Sequence, residues 1–384
     1  MSKIISNDRQ KRQSNVEMLR IVSSLMVVSL HILHPDIIGG MHLSEQSNSV
    51  PAMAFTRFLF SFCIVAVDVF VLISGYFMIE KSSPKIGKVI NLLLICSVYS
   101  AFTHVLTTLG NGKPIVPAHL AFSFVPRSYY IWLYCTLYIL SPYINRVVSG
   151  LSRRQYTRLI IVIFILFCLW PTIIDVIRCS WNTKLKDVFT VSRDGNGNGF
   201  TLVNFVFLYL LGGYLKKYPI TFRHKGTKYL ELMLSFCCAA ATAALCVIFP
   251  KINGTKAILG YETFFVVLQA VTFFDFFTRI NIKNSALINT VAKAALGVYL
   301  LHKGIILFLV HYINVEKLFG SGLFGTLKAW LLLLVAGFTL SVILDTLVHL
   351  VMTPISKWWS KTAVFRFNPA GNLETKEKST SVTS

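Results

Sequence analysis

FLFSFCIVAVDVFVLISGYFMI, residues 58–79, contains a single acidic or basic residue, Asp68. An apolar run of about 18 residues or more is long enough to cross a bilayer as a helix, so this stretch reads as a membrane span. Similar runs recur along the chain. Breaks at polar, charged and Pro/Gly clusters predict ten spans, near 16–34, 52–79, 87–109, 129–148, 158–178, 201–215, 229–249, 257–279, 287–312 and 326–352. The sixth is short and carries Gly212 and Gly213. Of the 384 residues, 54% are hydrophobic and 14% charged, where a soluble domain has roughly a quarter charged. That excludes a soluble enzyme, a secreted disulfide scaffold and a disordered protein. Seven of the eight cysteines lie in apolar runs, with Cys179 alone near a loop, which is neither a disulfide framework nor a metal-ligand spacing.

The net charge of +21 would point to nucleic acid in a soluble protein. In a polytopic membrane protein it marks cytoplasmic loops beside anionic lipid, and no nucleic-acid partner is expected. Placing the N-terminus inside assigns 25 of the 37 Lys and Arg residues to cytoplasmic segments and span ends. Lys184, Lys186 and Arg193 run against that bias. The expected architecture is an all-α integral membrane protein, a bundle of about ten transmembrane helices with both termini cytoplasmic. A lead over 1–14 precedes a membrane domain over 15–355, and the tail over 356–384 reads as largely disordered. The first span follows a basic lead without a small-residue cleavage pattern, so it is expected to be retained.

Ionisable residues inside spans are costly and normally face a bundle interior or a wet cavity. In NVEMLRIVSSLMVVSLHILHP (15–35), Arg20 and His31 are eleven residues apart. That is about 20° past three full turns, so they share one face about 16 Å apart along the axis. Glu17, at i–3, is placed to pair with Arg20. Arg20 alone reads more simply as snorkelling to inner headgroups, and His31 as bonding a neighbouring helix; paired with Glu17, Arg20 fits either reading. Asp68 sits mid-span, as a structural partner or part of a polar path. The Ser74-Gly75 step permits close helix approach or local opening. Lys81, Lys85 and Lys88 suit phosphates, lipid headgroups or plain topology. In the ninth span Tyr299 and His302 share a face, with Lys303 beside them. Asp345 and His349 (i, i+4) and Asp275 read as helix-stabilising. His104, His311 and Glu262 are weak signals near the outer surface. Tyr129, Tyr130, Trp132 and Tyr134 read as an interfacial aromatic belt. Gly195, Gly197 and Gly199 form a flexible turn rather than a phosphate cradle, and no metal, GxSxG, Walker A or dinucleotide motif is present.

These features together resemble membrane-bound acyltransferase family 3, the bacterial polytopic O-acyltransferases. Arg20 and His31, ten residues between them, resemble its opening motif. VDVFVLISGYFM (67–78) is similar to its SGY/SGF signature, and Lys85-x-x-Lys88 stands where a paired basic motif, usually Arg, is found. YYIWLYCTLYILSPYIN (129–145) and LGVYLLH (296–302) resemble two further blocks. Lysine in place of arginine weakens any bidentate hold on phosphate. The likeness is to the stand-alone branch, in which sugars of surface polysaccharides such as O-antigen are acetylated at the bacterial inner membrane.

The resemblance implies transfer of an acyl group, most simply acetyl from acetyl-CoA, to a sugar hydroxyl of a polysaccharide or its lipid-linked precursor. No permanently bound cofactor and no metal is implied, and acyl-CoA is a substrate. Arg20, Lys85 and Lys88 would hold its phosphates. His31 would be the general base, and His302 would orient the acceptor or polarise the thioester. A covalent route through Ser74 stays open. The alternative is a transporter or flippase for a glycan or anionic substrate, with the same buried groups lining its path. A polytopic glycosyltransferase is a third, though the outer loops offer only scattered acids.

Overall fold

The computed structural model describes residues 13–81, 84–181, 185, 187–192, 195, 197–219, 226–249, 258–362 and 367. Among them the secondary structure is helical, without strands. In chain order the helices are α1 (Ser14–Leu33), α2 (Gly40–Gln46), α3 (Val50–Cys63), α4 (Ala66–Met78), α5 (Ile86–Gly110), α6 (Pro117–Ser123), α7 (Tyr129–Ser149) and α8 (Arg153–Phe164). They continue with α9 (Trp170–Trp181), α10 (Leu202–Lys217), α11 (Thr227–Ile248), α12 (Phe264–Arg279), α13 (Ala286–Val291), α14 (Ala295–Leu309), α15 (Val315–Phe319) and α16 (Gly322–Trp359). A π-helical turn (Ile165–Leu169) joins α8 to α9, and a 3-10 turn (Ala292–Ala294) joins α13 to α14.

Among the described residues, seven stretches are long and apolar enough to cross a membrane: Ser14–Leu33, Val50–Met78, Ile86–Gly110, Arg153–Trp181, Thr227–Ile248, Ala286–Leu309 and Gly322–Trp359. The chain is a multi-pass membrane protein. The other three expected spans are the helices α7, α10 and α12. At 16 residues each, α10 and α12 rise about 24 Å, short of a bilayer core of about 30 Å. Both are largely buried among neighbouring helices, so protein rather than lipid surrounds them.

Two boundaries differ from expectation. The second span is broken at Ile64–Val65 into α3 and α4. The last helix runs to Trp359, past the limit expected at 355, so the first residues assigned to the tail are helical. Of the rest of that tail beyond Thr362 only Phe367 is described. The lead before Gln13, together with Lys184, Lys186, Arg193 and Asn196, lies outside the described residues. The connections over 34–50 and 110–129 hold the short helices α2 and α6.

Small residues bring α4 and α10 together. A Cβ on Gly75 would strike the Tyr209 backbone carbonyl, and one on Gly212 would strike that of Leu72. The contact is reciprocal, backbone on backbone, as small-residue interfaces in membranes permit. Of the two uses open to the Ser74-Gly75 step, close approach is the one adopted. Asn145 of α7 then ties off the end of α4. Its amide donates to the carbonyls of Met78 (2.7 Å) and Lys81 (2.8 Å) and accepts from Tyr209 Oη (2.8 Å). The carbonyls at a helix C-terminus have no intrahelical partners, and Asn145 supplies them.

Candidate active site

A cavity of about 500 Å3 lies between α1, α4, α5, α7 and α14. Arg20, Lys81 and Lys88 line one end of it, where α1 and α5 begin and α4 finishes. Tyr130 and Tyr299 line the other. Between them Tyr134 and Tyr138 continue down α7, with successive ring centroids 6.1 and 6.5 Å apart. Ser74 also lines the cavity, and its hydroxyl donates to the Phe70 carbonyl at 2.8 Å. Lys85 is not part of the lining. It caps α5, and its backbone N–H donates to Tyr138 Oη at 3.3 Å. Lys81 stands in the wall instead.

Arg20 Nε lies 3.7 Å from Glu17 Oε2, and the guanidinium sits 5.9 Å from the centroid of Phe77. Arg20 and Glu17 also line a second space of about 690 Å3 together with Lys293, Asp345 and His349. Arg20 therefore stands between two cavities.

Two imidazoles meet beyond the tyrosine end. The rings of His31 and His302 are edge to face, with centroids 4.6 Å apart and planes at 75°. Each is fixed by its own helix: His31 Nδ1 lies 2.9 Å from the Val27 carbonyl and His302 Nδ1 2.6 Å from that of Val298. A carbonyl only accepts, so each Nδ1 is a donor, and in the neutral ring Nε2 is the acceptor. His302 is buried, and its Nε2 has no hydrogen-bond partner among the described residues. His31 is partly exposed. Neither ring lines the cavity, but Tyr299, one helical turn before His302, does.

A basic-ended, tyrosine-lined cavity leading toward two imidazoles suits group transfer from an anionic donor. The model of an acyltransferase domain family matches residues 13–346. The chain belongs to membrane-bound acyltransferase family 3. No curated protein and no solved structure matches it. The matched segment holds the first cavity and both imidazoles, while His349 of the second cavity falls just beyond it.

The remaining candidates of the acyltransferase lie elsewhere. Asp68 is buried in α4 away from the cavity walls, and its Oδ2 makes no hydrogen bond among the described residues. Asp345 has His349 at 3.7 Å, but its shorter partner is Tyr99 Oη at 2.5 Å. It also packs against Gly297, so it joins α5, α14 and α16 rather than serving α16 alone. Asp275 pairs with Arg279 at 3.6 Å, and Arg279 also bonds Glu231 of α11.

The aromatic belt needs correction. Trp132 is exposed, as a belt residue should be, whereas Tyr130 and Tyr134 turn into the cavity. Tyr138 and Asn145 were not singled out from sequence. The signal was present for the tyrosines: 130, 134 and 138 are spaced i, i+4, i+8 and mark one helical stripe. For Asn145 there was none beyond its place after Pro142.

Proposed function

We propose that the acyltransferase moves an acetyl group from acetyl-CoA to a sugar hydroxyl of a cell-surface polysaccharide or its lipid-linked precursor. The observation that carries this reading is a cavity with three cations at one end and two proton-accepting imidazoles just past the other. The basic end faces the cytoplasm, where acyl-CoA is made, and Arg20, Lys81 and Lys88 hold its phosphates. Lysine binds phosphate as a point charge, so only Arg20 offers a fork. The pantetheine arm lies along Tyr138, Tyr134 and Tyr130.

His31 Nε2 takes the proton of the acceptor hydroxyl as its oxygen attacks the thioester carbonyl. The C–S bond then breaks, the sulfur leaves as thiolate, and it receives the proton from His31 as free CoA thiol. His302 Nε2, against the His31 ring, orients the acceptor hydroxyl by accepting its hydrogen bond before transfer. General-base action of this kind contributes about 10²–10⁴-fold. Direct transfer is favoured over an acyl-Ser74 intermediate because the Ser74 hydroxyl is committed to a helix carbonyl and no base adjoins it.

Purified protein in nanodiscs given acetyl-labelled acetyl-CoA and the polysaccharide fraction of its host should place label on the glycan in an alkali-labile ester. Donor binding without ester formation on any glycan would refute the acceptor class.

A further inference from the structure

The α7 wall of the cavity runs from Ser141 to Tyr130, eleven residues and so a rise of about 16 Å. The rings at the far end are held from several sides. Tyr130 packs against Tyr299 (centroids 5.1 Å), Phe205 (5.7 Å) and Phe70 (6.5 Å). Tyr299 Oη is hydrogen-bonded to Ser128 Oγ at 3.2 Å. Past Tyr299 comes one turn of α14 and then His302, which contributes nothing to the cavity wall.

We propose that Tyr130 and Tyr299 are the specificity-determining end wall of the donor channel, restricting the transferred group to a short acyl chain. The inference rests on the acyl-CoA reading above. A donor anchored by its phosphates at Arg20, Lys81 and Lys88 spans the channel once. Its thioester then reaches the tyrosine wall one turn below the imidazoles, and each further methylene must be forced among four packed rings. Inserting methylenes into a packed site costs about 1–3 kcal/mol, roughly 5- to 150-fold in affinity.

The test is direct binding of CoA, acetyl-CoA, butanoyl-CoA and hexanoyl-CoA to the full chain in nanodiscs, with empty nanodiscs subtracted. The wild-type protein should bind hexanoyl-CoA at least about tenfold more weakly than acetyl-CoA. Tyr299→Ala and, independently, Tyr130→Leu should bring the two ligands to within about threefold of one another. Tyr299→Phe, which keeps the ring and loses only the Ser128 bond, should keep the discrimination. Equal affinities in wild type, or discrimination that persists in both enlarged variants while CoA still binds, would overturn the end wall and leave the donor reading standing. Failure of folded wild-type protein to bind any of the four, CoA included, would overturn the donor reading and the wall with it.

Discussion

Asn145→Ala removes the side chain that joins α4, α7 and α10 at the basic end of the cavity. Asn145 is 7% exposed and makes three hydrogen bonds, to Met78, Lys81 and Tyr209. The Lys81 carbonyl belongs to an exposed residue, so water replaces its partner. Tyr209 is fully buried and Met78 nearly so, but the phenol keeps Ser141 and the carbonyl keeps the Lys81 N–H at 2.9 Å, so each loses one of two partners. Two buried bonds at about 0.5–1.5 kcal/mol each, with the lost packing, make a loss of about 2 kcal/mol. Hydrogen bonds between membrane helices average only about 0.6 kcal/mol and reach about 1.7. The Tyr209–Asn145 bond itself should therefore appear as a coupling of about 1 kcal/mol. The assay is reversible unfolding in mixed micelles of wild type, Asn145→Ala, Tyr209→Phe and the double variant. Tyr209→Phe and Asn145→Ala each remove the same bond, so the double variant should be less destabilised than the sum of the singles. Strict additivity would refute the claim that this network holds the end of α4 in place.

Gly75→Val should be more damaging than any single cavity substitution. A Cβ there meets the Tyr209 carbonyl, and backbone does not yield as a side chain does, so loss of folded protein on size-exclusion chromatography is expected. Tyr99→Phe should destabilise by about 1–3 kcal/mol by stranding the buried Asp345 carboxyl, measured in the same unfolding assay. No change there would mean that His349 alone satisfies Asp345. Arg20→Ala and the Lys81→Ala/Lys88→Ala pair should each weaken acetyl-CoA binding in nanodiscs, whereas Lys85→Ala should have the smaller effect. Equal losses at Lys85 and Lys88 would place the phosphates outside the described cavity. A reporter active only outside the cytoplasm, fused at Ser384, should stay silent, and strong activity would invert the proposed orientation.

The spans were legible because apolar composition over twenty residues leaves few alternatives. The break at Ile64–Val65 was not, since neither proline nor glycine marks it. The extension of α16 past Pro354 was hidden by the habit of reading proline as a stop. Arg20 and His31 could be placed on one face from their spacing, but nothing in one sequence reveals that His302, 271 residues on, meets His31 ring to ring. Pairing of α4 with α10 was foreshadowed by Gly75 and by Gly212 and Gly213, without a register to join them. The tyrosines of α7 show how a residue type misleads. Aromatics near a span end suggested an interface, while their four-residue spacing already described a stripe. Of the basic cluster, charge alone could not say that Lys81 and Lys88 face the cavity and Lys85 does not.

The central claim is that His31 is the base at the end of the donor channel. It is tested most directly by glycan acetylation with purified wild type, His31→Gln and His302→Gln, each first shown to bind acetyl-CoA. Glutamine keeps a hydrogen-bonding head but does not accept a proton at neutral pH. His31→Gln should lose about 10²–10⁴-fold in rate with donor affinity retained, and His302→Gln should lose less. A His31→Gln enzyme that keeps most of its activity would contradict the account.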